Sequence, residues 1–398
     1  MGMTARTRDR RGRLGVFVSV CVFSFLVNFG RIAFAPLVDV FIESGVPEAT
    51  AGLIATLVWV GSALPRLPTG YLLTKVRRHR VIVGMGLGLA TAAAFTAFSP
   101  GIRVTAAGAL FVGLATGVFF IAANPLVSEL YPDRVGLAVG LRGMSSQVAA
   151  VSAPFLVGAA VALGSWRISF ATLAGLALIA TVGFVLAVRR ADMPTAGAGD
   201  RDLLGAIRAE RSLVLAGIVF VGLAGFAWQG VFNFYVTYLG ATKGISQGTA
   251  SQLLTLTFAA GIPAFVFAGR LADRFSHLRI LLSVVTGFAV CLLALTVAEG
   301  VLAVAVVSVV MGLIVHGLFP AADAYMLDTL PDEHRASAYA GFSATMMLIQ
   351  APGSFAVGSF VQAGVGYDAV FLGYAVLLAA IAVGMGGLAR AGRLPSGG

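Results

Sequence analysis

Charge is what this chain has least of. Only 11% of its 398 residues are Asp, Glu, Lys or Arg, where a soluble globular chain carries roughly a quarter. That shortage excludes a water-soluble globular protein of this length. Disorder is excluded from the opposite side: a disordered chain needs low hydrophobicity, and 59% of this one is hydrophobic. Cysteine is scarce too. Cys21 and Cys291 both sit inside apolar runs, so there is no disulfide framework, and no Cys/His spacing suits zinc. A Gly-x-x-x-x-Gly-Lys phosphate loop is missing, which removes ATP as a direct energy source. No Ser/His/Asp arrangement and no His-Glu-x-x-His helix occurs. The chain is not read as an enzyme, and no cofactor or metal is expected.

What is present is a series of apolar runs. About 20 apolar residues cross a bilayer core of ~30 Å, and twelve such runs can be marked: 14–37, 50–71, 81–98, 104–127, 138–162, 168–188, 213–238, 249–268, 279–297, 300–322, 337–362 and 369–389. With the N-terminus inside, Arg103, Arg167 and Lys243 fall in outer loops. Arg31, Arg66 and Arg142 fall within spans, and the rest of the 27 Lys and Arg residues fall on the inner side. Positive charge retained inside sets orientation. It also accounts for the net charge of +10 through anionic lipid surfaces, with no nucleic acid partner. The reading is an all-α integral membrane protein of twelve transmembrane helices in two pseudo-symmetric six-helix bundles. Its parts are a basic cytoplasmic tail (1–13), an N-terminal bundle (14–188), a cytoplasmic linker (189–212), a C-terminal bundle (213–389) and a cytoplasmic tail (390–398). The expected setting is the plasma membrane, as a multi-pass monomer with lipid around it and both termini in the cytoplasm.

The halves repeat at an offset near 199. Gly70 maps onto Gly269, Lys75 onto Arg274, Asn124 onto Asp323 and Glu129 onto Asp328; past a small shift, Ala153-Pro154 answers Ala351-Pro352. The segment from Gly269 to Phe275, GRLADRF, resembles the Gly-x-x-x-Asp-Arg loop motif of the major facilitator superfamily. The segment from Gly70 to Arg80 is similar to the first-half copy of that motif, with Thr74 where the family has Asp. Twelve spans, inner termini and a central loop extend the resemblance over the whole chain. It implies secondary transport by alternating access, with the substrate held near the midplane between the halves. It also implies a cytoplasmic latch at Asp273 and Arg274, with Lys75 and Arg78 in the first-half copy. Glu129 and Asp328 are candidate carboxylate partners for the motif arginines.

An ionisable residue inside a span is costly and reads as functional. Arg31 comes first: eight residues before Asp39, or ~12 Å of helix rise, it sits in the outer half of the core with Asn28 on the same face. Arg cannot give up its proton, so it needs water, a carboxylate or an anionic ligand. Arg66 lies in LPRLPTG between Pro65 and Pro68. That segment resembles the second helix of nitrate/nitrite porters, although the equivalent position in the eighth span is Phe265 rather than a second Arg. Asn124 completes the candidate contacts of the first half. His316 and Asp323 share one face of the tenth span and are candidates to carry a proton. Trp228, Gln229 and Asn233 in the seventh span offer amides and an aromatic wall for a ligand. Gln147 and Gln350 are weaker, since polar side chains also tie helices together.

Two substrate readings stay open. One is a small organic or inorganic anion, held by Arg31 and Arg66, with coupling to protons left open. The other is proton-coupled efflux of amphipathic, drug-like compounds. Exporters of that kind in the family carry an Arg in the fourth span and a Gly-Pro motif in the fifth; here Ala109 and SAPFLVG, Ser152 to Gly158, stand there. A non-transporting membrane receptor or scaffold is the reading from another class.

Overall fold

The structure, a computed structural model, describes residues 2–131, 135–193, 205, 208, 211–272, 276–329 and 332–392. Every regular element among them is helical. In chain order these are α1 (Gly2–Ile32), α2 (Ala35–Glu43), α3 (Glu48–Ala63), α4 (Arg66–Lys75), α5 (Arg78–Ala97), α6 (Ile102–Leu130), α7 (Val135–Ala162) and α8 (Arg167–Val188). There follow α9 (Arg211–Gly217), a π turn over Ile218–Gly222, α10 (Leu223–Lys243), α11 (Gln247–Ala272), α12 (His277–Val297), α13 (Gly300–Thr329), α14 (Asp332–Gln350), α15 (Gly353–Gln362) and α16 (Tyr367–Arg390). Eleven helical stretches among the described residues are long and apolar enough to cross a bilayer. The eighth expected span lies on α11, part of whose side chains are outside the described residues.

Three expected spans are interrupted, each beside a proline. The first breaks at Ala33-Phe34, just before Pro36; the second at Leu64-Pro65; the eleventh at Ala351-Pro352. A proline ring collides with the carbonyl four residues back and offers no N–H. Residues at the start of the resumed helix tolerate this, since their N–H groups have no intrahelical partner anyway. The break at Ala33 corrects one expectation. Arg31 and Asp39 do not ride one continuous helix, because Arg31 ends α1 and Asp39 belongs to α2. The residues read as a basic tail also continue a helix, since α1 begins at Gly2.

The chain forms two compact units: Met1–Phe34 with Leu57–Asp200, and Ala35–Thr56 with Arg201–Gly398. Sequence boundaries had put residues 14–188 together, but residues 35–56 group with the second unit for close-packing reasons. A Cβ at Gly52 would run into the carbonyl of Ser354, and one at Gly358 into that of Glu48. Gln247 Nε2 donates to Asp39 Oδ2 at 2.7 Å, and the Phe355 amide donates to Thr56 Oγ1 at 3.1 Å.

Within each unit the same pairs of helices pack. In the first, α5 lies on α6 and α8; in the second, α12 lies on α13 and α16. The repeat is visible at single residues. A Cβ on Gly113 would strike the carbonyl of Val58, and a Cβ on Gly312 would strike that of Thr257. Each position is 199 residues from its counterpart. Left-handed glycines recur as well: Gly45 at φ 88° and Gly244 at φ 63°, a backbone region that only glycine enters without strain. Small residues allow helix backbones to touch in a membrane, where burial of apolar surface supplies no driving force between helices. Large apolar side chains such as Phe155, Ile179, Leu302 and Val383 are correspondingly exposed, as a surface meant for lipid requires.

Candidate functional site

Two buried arginines of the first unit lie on α1 and α7, with polar partners on the same two helices. Arg31 is 7% exposed and Arg142 is 8% exposed. Arg31 Nη2 donates to Asn28 Oδ1 at 2.7 Å, and Asn28 Nδ2 donates to the Ser146 carbonyl at 2.6 Å. Arg142 Nη1 donates to Ser24 Oγ at 3.2 Å, and the Ser24 and Ser146 hydroxyls are 2.9 Å apart. Every acceptor in this chain is neutral. Arg31 Nε and Arg142 Nε are buried without a hydrogen-bond partner among the described residues. Position at the end of α1 gives Arg31 some support, because the negative end of a helix dipole favours a cation.

Both guanidinium groups pack against one ring. The central carbon of Arg31 is 4.7 Å from the Phe120 centroid, that of Arg142 is 5.3 Å from it, and Trp59 covers Arg31 at 5.1 Å. The two carbons are therefore no more than about 10 Å apart, the two centroid distances taken end to end. At an effective dielectric near 20, two like charges at that separation repel by roughly 1.7 kcal/mol. Arg66, half-buried at the start of α4, also acts on the charge of Arg31. The permanent charges of Arg31 and Arg142, whose acceptors among the described residues are neutral, are chemically suited to an anion.

Arg142, Trp59, Phe120 and Ser146 are the contacts that sequence reasoning missed. Arg142 was visible as a charge within a span, but nothing in its spacing pointed to Ser24 or Phe120. Asn124, by contrast, is exposed on α6 and makes no described contact with this cluster.

Among the described residues, the second unit holds no buried arginine or lysine. The offset of 199 carries Arg31 to Gly230, where a Cβ would meet Val357 and Tyr374. Its amides bond to each other: Asn233 Nδ2 donates to the Gln229 carbonyl at 2.8 Å, and Ser354 Oγ donates to the same carbonyl at 3.0 Å. Gln350 Nε2 donates to the Val221 carbonyl at 3.1 Å, satisfying a group in the π turn and tying α14 to it. Trp228 and Phe258 pack edge-on against His316, with Phe288 against Trp228, and the His316 ring nitrogen Nδ1 lies 2.8 Å from the Gly312 carbonyl. His316 fits because position 261 is glycine; a Cβ there would overlap its ring. In the first unit the same pair reads the other way, with Ser62 on α3 facing Gly117 on α6. The side chains of Asp323 and Asp328 lie outside the described residues.

Of the motif residues, Arg78 forms an ion pair with Glu129, joining the start of α5 to the end of α6. Lys75 extends over the ring of Tyr71 at 4.6 Å. Gly70 faces open space, so no close approach requires glycine there. Gly269 lies near the end of α11, while Asp273 and Arg274 are outside the described residues. The Arg78–Glu129 pair is partly exposed, and such pairs contribute about 0–1 kcal/mol. Glu129→Gln is therefore expected to move Tm by no more than about 4 °C. A larger loss in a thermal melt would show the pair to be a main support of the fold.

Comparison with known proteins agrees with this architecture. The sequence model of the Major Facilitator Superfamily matches residues 20–242 and 217–395. The fold is similar to that of a bacterial homologue of the human lysosomal transporter Spinster in an inward-facing, unoccupied conformation (TM-score 0.79, 13% identity, 95% of this chain and 97% of that one). It is similar to a nucleoside transporter, NupG (TM-score 0.80, 13% identity, 94% of this chain and 99% of that one). A POT family transporter, PepTSo, is equally alike in shape (TM-score 0.80, 10% identity, 94% of this chain and 98% of that one). With the family model covering most of its length and its helices paired alike in two halves, the chain belongs to the major facilitator superfamily.

Proposed function

We propose that this protein is a secondary active transporter that moves a small organic or inorganic anion across the plasma membrane by alternating access, with both termini in the cytoplasm. The observation that carries the anion reading is Arg31: a permanent charge, 7% exposed, whose hydrogen bond among the described residues runs to a neutral amide. Arg66 and Arg142 add positive charge to the same unit. An amphipathic cation would be repelled by this cluster, which weighs against the drug-efflux alternative. The test is a thermal-shift screen of the purified protein against nitrate, phosphate, mono- and dicarboxylates, sugars and cationic drugs, followed by proteoliposome uptake of the best ligand. Any ligand that binds the folded state raises its stability by mass action. Stabilisation by cations or sugars alone would overturn the reading.

Coupling to protons is assigned to His316, a titratable ring enclosed by Trp228, Phe258 and Gly261 and held by Gly312. His316→Gln is expected to abolish accumulation driven by a pH gradient while leaving substrate exchange. If gradient-driven accumulation persists in that variant, His316 is a packing residue. The double change Gly261→Ser with His316→Gly, which copies the first-unit pattern, is expected to fold but to lose coupling in the same assay.

A further inference from the structure

Within the anion reading, on which this inference rests, we propose that the Arg31–Phe120–Arg142 cluster binds a substrate bearing two negative charges, with Arg142 as the second cationic contact. Neither arginine has a carboxylate partner among the described residues. Each is more than nine-tenths buried, and each keeps a buried Nε–H with no acceptor. Their remaining donors are not spread at random. Arg31 is fixed by Asn28 and Arg142 by Ser24, and both of those α1 groups bond to Ser146 on α7. The two forks are thus held on one scaffold and against one ring, without losing either charge.

A monoanion between them would neutralise one guanidinium and leave the other buried and uncompensated. Burying an unpaired charge is unfavourable, whereas a paired and hydrogen-bonded charge is tolerated. A dianion compensates both. The guanidinium fork also presents paired N–H groups that match carboxylate and phosphate oxygens. A short dicarboxylate and a phosphate monoester share this chemistry, and the ligand series below separates them. At the position equivalent to Arg31 the second unit has Gly230, and among the described residues it buries no arginine or lysine.

Binding to the intact protein in detergent would be measured calorimetrically at pH 7.5 for succinate, its one-charge analogue butyrate, glycerol phosphate and nitrate. Succinate or glycerol phosphate, whichever chemistry fits, is expected to bind at least tenfold more tightly than butyrate. Arg142→Gln is expected to shrink that ratio at least fivefold. Arg142→Lys, which keeps the charge but loses the fork, is expected to restore part of it and guards against a folding defect in the glutamine variant. Binding of butyrate or nitrate as tight as that of both dianions would overturn the two-charge inference while leaving the anion reading intact. Binding by no anion of either class, with a cation or sugar binding instead, would sink the anion reading itself.

Discussion

Arg31→Ala should abolish anion uptake in proteoliposomes while leaving the protein folded, inserted and monodisperse. The expectation follows from what Arg31 holds. Its structural bonds amount to Asn28 and two aromatic faces, Phe120 and Trp59, all of which survive as a packed apolar and amide surface when the guanidinium is gone. Losing a charged contact to a ligand costs ~1.5–3 kcal/mol, a tenfold to hundredfold loss of affinity. Arg31→Lys keeps the charge but replaces a planar fork with a compact, more strongly hydrated ammonium. It should therefore lower uptake well below the level that charge conservation alone would maintain. Wild-type uptake by the alanine variant would make Arg31 a packing residue and remove the main support for an anionic substrate.

The second large effect is on folding. Gly113→Leu and Gly312→Leu should each give protein that fails to purify as a monodisperse species. At both sites the missing side chain is what lets α6 meet α3, and α13 meet α11, backbone to backbone. Even Gly113→Ala forces the facing carbonyl of Val58 to retreat, and overpacking of that kind costs about 1–3 kcal/mol. Gly84→Leu is the control. It lies on the exposed face of α5, where a Cβ meets nothing within 4 Å, and it should melt within a few degrees of the parent. Equal damage at Gly84 and Gly113 would mean that glycine content as such, rather than the contact, sets stability.

The spans were legible because hydrocarbon thickness imposes a length and a composition on any helix that crosses it, and each run of about 20 apolar residues marks itself. The repeat was legible from residues at the helix junctions, such as Gly70 with Gly269 and Ala153-Pro154 with Ala351-Pro352, whereas the glycine contacts at Gly113 and Gly312 emerge only on folding. The interruptions at Ala33 and Ala351 were less legible, since Pro36 and Pro352 fit inside runs that remain apolar on both sides. In the candidate site, Arg31 announced itself because charge in a span is rare. Its companions did not. Phe120 is one of 28 phenylalanines, and Ser24 and Ser146 are separated by 122 positions, so no periodicity connects them. Arg142 sits four residues inside the expected fifth span, near enough to its end that a charged side chain would ordinarily reach water. Only folding turns it inward. The segment joining the first two spans shows the same limit, since grouping Ala35–Thr56 with the second unit depends on contacts with Gln247, Ser354 and Phe355 that no local pattern encodes.

The exchange of small and large partners between Ser62–Gly117 and Gly261–His316 also constrains history. A six-helix ancestor that duplicated would begin with one arrangement in both halves. A histidine arriving at 316 while residue 261 still carried a side chain would meet a collision, whereas a glycine arriving first at 261 would leave only a small void. From a first-unit pattern, the permissive change at 261 has to precede the histidine at 316, and neither reverts alone without cost. Scanning such a protein one position at a time would score 261 as intolerant and never register that its emptiness is what allows the histidine across from it.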